Sequence, residues 1–178
     1  MKKTFMLILA LVIAISLVTP AFAQDDESIL IYPPRIPVDE NGDRVVEVLP
    51  SQVILLGARW GACSRGLAKA FSQTADVSYE IDGQPIFMSL KESRQYWSQS
   101  PFPILEPEET ACVNNSDTYW WVYWEYELES LGPGDHPAHF DYWNDHLHHD
   151  GGDYDGDGKP DMFRDWGVSI DFIIRVVE

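Results

Sequence analysis

Basic residues are scarce in this chain. Twelve lysines and arginines stand against 29 aspartates and glutamates, giving a formal net charge of −17. A balance this negative repels nucleic acid and anionic lipid, so no nucleic-acid partner is expected. It suits divalent cations, basic partners or neutral ligands without choosing among them. Cysteine is nearly absent, with only Cys63 and Cys112. Neither sits in a Cys-x-x-Cys or beside a histidine, which argues against a thiolate metal site or a reactive thiol. No segment repeats and no low-complexity tract occurs. A long helical period is missing too, since 65–71 and 90–97 can each form a short helix at most.

Long apolar runs are also lacking, apart from one at the start. Lys2 and Lys3 precede an apolar run over 5–18 that only Ser16 interrupts. Pro20 breaks it, and Ala21-Phe22-Ala23 before Gln24 fits the small-x-small rule for signal cleavage. A membrane anchor needs roughly 18–20 apolar residues, more than this run holds. No cysteine follows directly, so a lipid anchor is not expected either. Residues 1–23 therefore read as a signal peptide cleaved after Ala23. The mature chain is expected to have no membrane span and to be secreted, periplasmic or cell-surface. In an oxidising compartment an even pair of cysteines means a Cys63–Cys112 disulfide. Closing that loop contributes at most roughly 4 kcal/mol through chain entropy.

Residues 24–50 form an acidic lead-in bearing Pro33, Pro34, Pro37 and Pro50, with a turn signal at Glu40-Asn41-Gly42-Asp43. Short strands are expected at 29–32 and 45–48. The main domain spans 51–178, where the period is mostly two. Val77, Tyr79 and Ile81 alternate with Ser78, Glu80 and Asp82. In 119–130 the even positions Trp120, Val122, Trp124, Tyr126 and Leu128 are all apolar. The odd ones begin aromatic at Tyr119, Trp121 and Tyr123 and end acidic at Glu125, Glu127 and Glu129. Ala138, Phe140 and Tyr142 alternate with His139, Asp141 and Trp143, and Val168 to Val176 repeat the plan.

Strands with one apolar face each need a second apolar layer, and no helix is long enough to supply it. Sheet on sheet is the economical answer, so an all-β fold, an antiparallel β-sandwich, is expected. Trp120, Trp124, Phe140, Ile170, Phe172 and Ile174 should meet in its core. The stretch 131–140, with Gly132-Pro133-Gly134 at its turn, resembles the proline-glycine turn that enters a late strand in immunoglobulin-like domains.

One motif carries specific chemistry. Asp153, Asp155, Asp157, Gly158 and Asp161 spell D-x-D-x-D-G-x-x-D just before the last strand. Calcium takes six to eight hard oxygens, and carboxylates at alternate positions of a tight loop can converge on one ion. Gly158 permits a positive-φ turn that aims the Lys159 carbonyl inward. Asp161 adds a further oxygen, and Met162 and Phe163 can anchor the loop. The motif resembles the calcium loops of the EF-hand and dockerin families, of thrombospondin type 3 repeats and of integrin-like propeller repeats. It departs from the EF-hand at loop position 12, where Arg164 replaces the bidentate glutamate, and Pro160 stands at position 8. Without flanking helical periods, the propeller and thrombospondin style fits better. Asp150 or Asp165 is a candidate for the missing ligand, and Ca2+ is the expected ion.

Other polar groups say less. His136, His139, His146, His148 and His149 crowd one stretch, but their spacing matches no helical metal motif, and an exposed loop explains them. A solvated strand face explains Glu125, Glu127 and Glu129 better than a glycosidase pair does. No nucleophile motif stands out, so no enzyme is expected. Two function classes follow. One is a calcium-binding module with a structural, adhesive or interaction role towards an extracellular protein. The other is a carbohydrate-binding module that stacks Tyr119, Trp121, Tyr123 or Trp143 on a polysaccharide.

Overall fold

The computed structural model describes residues 28–105, 112–113 and 118–177. The expected signal peptide and the start of the lead-in lie outside the described residues. Among the described residues nine strands occur in the order β1 (Ile29–Ile31), β2 (Val45–Val48), β3 (Ile54–Ala62), β4 (Asp76–Ile81), β5 (Gln84–Pro85), β6 (Phe102–Leu105), β7 (Thr118–Leu128), β8 (Gly134–Asn144) and β9 (Trp166–Val176). Helix α1 (Arg65–Thr74) follows β3, and the single turn α2 (Leu90–Ser93) follows β5. Both are capped by serine, Ser64 accepting from the Leu67 N–H and Ser89 from the Glu92 N–H. Among the described residues no helix is long and apolar enough to cross a membrane.

The strands build a sandwich of two sheets, ordered β1-β3-β7-β6 and β2-β9-β8-β4-β5. The β-sandwich expectation holds, with one refinement: both sheets are mixed. The lead-in lends one strand to each, β1 running parallel to β3 and β2 parallel to β9. Alternation within a strand reports which face is buried and carries no information about direction, so these parallel edges were not legible.

The interior follows the alternation. Val122 and Trp124 of β7, Tyr79 of β4, Phe140 and Tyr142 of β8, and Phe172 and Ile174 of β9 are all buried. Trp120 and Ile170, also expected in the core, are partly buried and pack against it. Trp124 stacks on Tyr79 at 5.6 Å, and its indole donates to the Ser93 carbonyl at 2.8 Å. Two buried tyrosines tie the sheets together. Because β1 pairs only as far as Leu56, the carbonyls of Gly57 and Arg59 find other donors. The Tyr79 hydroxyl donates to Gly57 at 2.8 Å and the Tyr142 hydroxyl to Arg59 at 3.2 Å. A buried backbone carbonyl left without a donor would cost about 1–3 kcal/mol.

Candidate metal centre

The connection from β8 to β9 carries the aspartate motif and has no helix of its own. Asp153, Asp155 and Asp161 each offer an oxygen within 4.8 Å of the others, a spacing that can hold one cation. The loop folds on its own carboxylates. Asp153 Oδ1 accepts the backbone N–H groups of Gly156 and Asp157 at 2.7 and 3.0 Å, and its Oδ2 accepts that of Gly158 at 2.8 Å. These donors, Gly158 foremost, hold the Asp153 carboxyl below the usual carboxylate range. Asp161 Oδ2 accepts the Tyr154 N–H at 2.6 Å and so closes the loop from its far end. Both Gly156 and Gly158 adopt positive φ, +80° and +83°. Only Gly158 was legible from the motif.

The structure sorts the expected ligands. Asp157 lies outside the clustered three. Its Oδ1 accepts the Lys159 N–H at 2.8 Å, and its Oδ2 stands 3.7 Å from the Lys159 ammonium. Asp150, proposed as a spare ligand, is buried and committed elsewhere. Its oxygens accept the Gly152 N–H at 2.7 Å, the Tyr154 hydroxyl at 2.6 Å and the Tyr119 hydroxyl at 3.4 Å. Burial, then the Asp150 contact, pushes the Tyr154 hydroxyl up to about 12. Asp165, the other spare, occupies a positive-φ turn (52°) at the entrance to β9. Phe163 anchors the loop as expected, exchanging backbone hydrogen bonds with His148 at 2.8 and 3.0 Å. Met162 is exposed.

The base of the loop is fastened to the cysteine pair. The sulfurs of Cys63 and Cys112 lie 2.02 Å apart, a disulfide distance. The Cys63 N–H donates to the Asp150 carbonyl, Cys112 bridges to Gly152, and the Asp161 N–H donates to the Gly152 carbonyl at 2.8 Å. A covalent link and a buried carboxylate therefore set where the loop begins and ends. Tyr154, Trp60, Phe163 and Trp166 wall an open cavity of about 510 Å³ that Asp155 and Asp161 also line. The sequence offered no sign of this, because Trp60 arrives from β3 at the far side of the chain.

The remaining residues separate. Tyr119, Trp121 and Tyr123 share the outer face of the β1-β3-β7-β6 sheet, half-buried, with Trp121 and Tyr123 within 26° of parallel at 6.5 Å. Trp143 belongs to the outer face of the other sheet, in register with Asp76 and Gly167, and cannot join them. The histidines scatter as well. His136 pairs with Asp82 at 2.8 Å and His139 with Asp171 at 2.7 Å, while His148 packs against Trp60 and Phe71. Glu125, Glu127 and Glu129 are exposed. No family model matches the chain, and no curated protein or solved structure matches it.

Proposed function

We propose that this chain is an exported, non-catalytic β-sandwich module whose 153–161 loop binds calcium, the ion stiffening the β8–β9 connection for a structural, adhesive or interaction role. The observation that carries the reading is the convergence of Asp153, Asp155 and Asp161 within 4.8 Å. Three negative charges that close repel one another unless a cation joins them. The donors are all hard oxygens, the chemistry calcium and magnesium share, and calcium's tolerance of irregular geometry suits a loop of this kind better than magnesium's strict octahedron does. The cysteine pair at disulfide distance supports an oxidising compartment.

Calorimetry of the intact mature domain tests it. Calcium should bind and raise the melting temperature by several degrees, since a cation at a hundredfold excess over Kd stabilises by about 2.7 kcal/mol. Magnesium should do much less. Asp155→Asn or Asp161→Asn should remove most of the gain, and Asp157→Asn, on a residue turned towards Lys159, should remove less. No heat of binding at millimolar calcium would overturn the reading.

A second reading rests on the outer aromatic face. Trp121 and Tyr123 present nearly parallel, half-open rings, the geometry on which a sugar ring stacks. In this reading Tyr119, Trp121 and Tyr123 bind a polysaccharide, and Trp143 takes no part.

A further inference from the structure

A cavity of about 370 Å³ opens beside that aromatic face. Its walls include Leu30, Ile36 and Val46, and its polar lining consists of Tyr32, Arg35, Arg59, Tyr123 and Glu125. The size and the mix of apolar wall with few polar groups are those of a small-molecule site.

The charge is out of character for this protein. Acids outnumber bases 29 to 12, yet two guanidiniums and one carboxylate line this cavity. Among the described residues neither Arg35 nor Arg59 makes an ion pair, Glu125 included, although Arg94 and Arg175 both find aspartates. Arg59 is held by rings instead. Its guanidinium stands 4.5 Å from the Trp121 ring centre and 5.6 Å from that of Tyr32. Such cation–π contacts fix the group, and its hydrogen bond to the Tyr32 hydroxyl takes up only part of a guanidinium's five donors. The charges of Arg59 and Arg35 both reach the Tyr32 hydroxyl, where they oppose the upward push of burial.

We infer that this cavity binds an acidic saccharide, with the carboxylate of a uronate unit on Arg59 and Arg35 and the sugar ring against Tyr123. A planar guanidinium matches a carboxylate with two parallel hydrogen bonds. Tyr123 supplies the flat wall for the pyranose ring, and Glu125 at the rim accepts from sugar hydroxyls. The inference rests on the polysaccharide reading and is independent of calcium.

The test titrates the full mature chain, in chelator, with short oligogalacturonates and with neutral galactose oligomers of the same linkage, followed by tryptophan fluorescence. The acidic oligomers should bind, and the neutral ones should bind roughly tenfold or more weakly, as loss of a charge-assisted contact implies. Arg59→Gln should remove that preference, and Arg35→Gln should reduce it, with the melting temperature of each variant confirming the fold. Equal binding of both oligomers would overturn the inference and leave the polysaccharide reading standing. Binding of neither at millimolar concentration would overturn both. Sulfate competing as well as the uronate oligomer would overturn the saccharide assignment.

Discussion

The two outer faces of the sandwich come from strands with the same alternation and end with opposite chemistry. On the β1-β3-β7-β6 sheet, Tyr119, Trp121 and Tyr123 lie beside Arg59 and Gly61. On the β2-β9-β8-β4-β5 sheet, three rows cross β4, β8 and β9 in register: Asp76, Trp143, Gly167; Ser78, Asp141, Ser169; Glu80, His139, Asp171. The first face has rings resting on a glycine at one end and the exposed Glu125, Glu127 and Glu129 at the other, and the second is mostly small polar and charged groups. An outward position thus need not be a solvated one. The rings of the first face need that glycine: the ring of Tyr119 would collide with a Cβ at residue 61, the nearest atom standing 2.1 Å from where it would fall.

The largest effect expected is inside rather than on either face. Trp124→Ala should destabilise by about 3–5 kcal/mol, as truncation of a fully buried aromatic does. Trp121→Ala, on a half-buried ring of the same strand, should cost about 1–2 kcal/mol. Urea denaturation of both variants measures the difference. Equal losses would mean that the aromatic face is a second core, which would remove the basis for a ligand site there.

Gly61→Ala should cost about 1–3 kcal/mol, because the new methyl displaces Tyr119 and presses on Trp121. In a Tyr119→Ala background the same change should cost markedly less, a coupling a double-mutant cycle reads directly. Additive losses would show that the glycine matters for some reason other than the rings above it.

The smallest effect belongs to the polar face. His139 is held above its ordinary pKa, first by its hydrogen bond to Asp171 at 2.7 Å and then, against some desolvation, by Asp141 and Asp171 as charges. A histidine whose folded pKa is raised contributes stability that is complete below about pH 6.5, the unfolded value, and is lost as pH rises through the folded one. Thermal melts across that window should therefore show a shallow decline that Asp171→Asn flattens. The side chains are well exposed, so salt should weaken the effect. A decline unchanged in the variant would assign it to other groups, His136 beside Asp82 first among them.

Alternation in 119–130, 138–142 and 168–176 was enough to place Trp124, Phe140, Phe172 and Ile174 in one interior, because a strand's period of two leaves its apolar side chains no other common face. The aspartate spacing likewise marked a tight loop between two strands, although the contacts of Asp153 with Gly156 and Gly158 that shape it were not foreseen. Only the tertiary structure decided which carboxylates converge. Asp150 carries the same group as Asp153, but it is buried at the base of the loop, where Tyr119 from another strand adds a hydroxyl to the local donors Gly152 and Tyr154. It also decided that Trp143 parts from Tyr119, Trp121 and Tyr123, and that Arg59 meets Tyr32 across β1 and β3. Periodicity fixes the face a residue takes within its own strand, whereas neighbours across strands depend on order and register, which are set by how whole sheets bury their surfaces against each other.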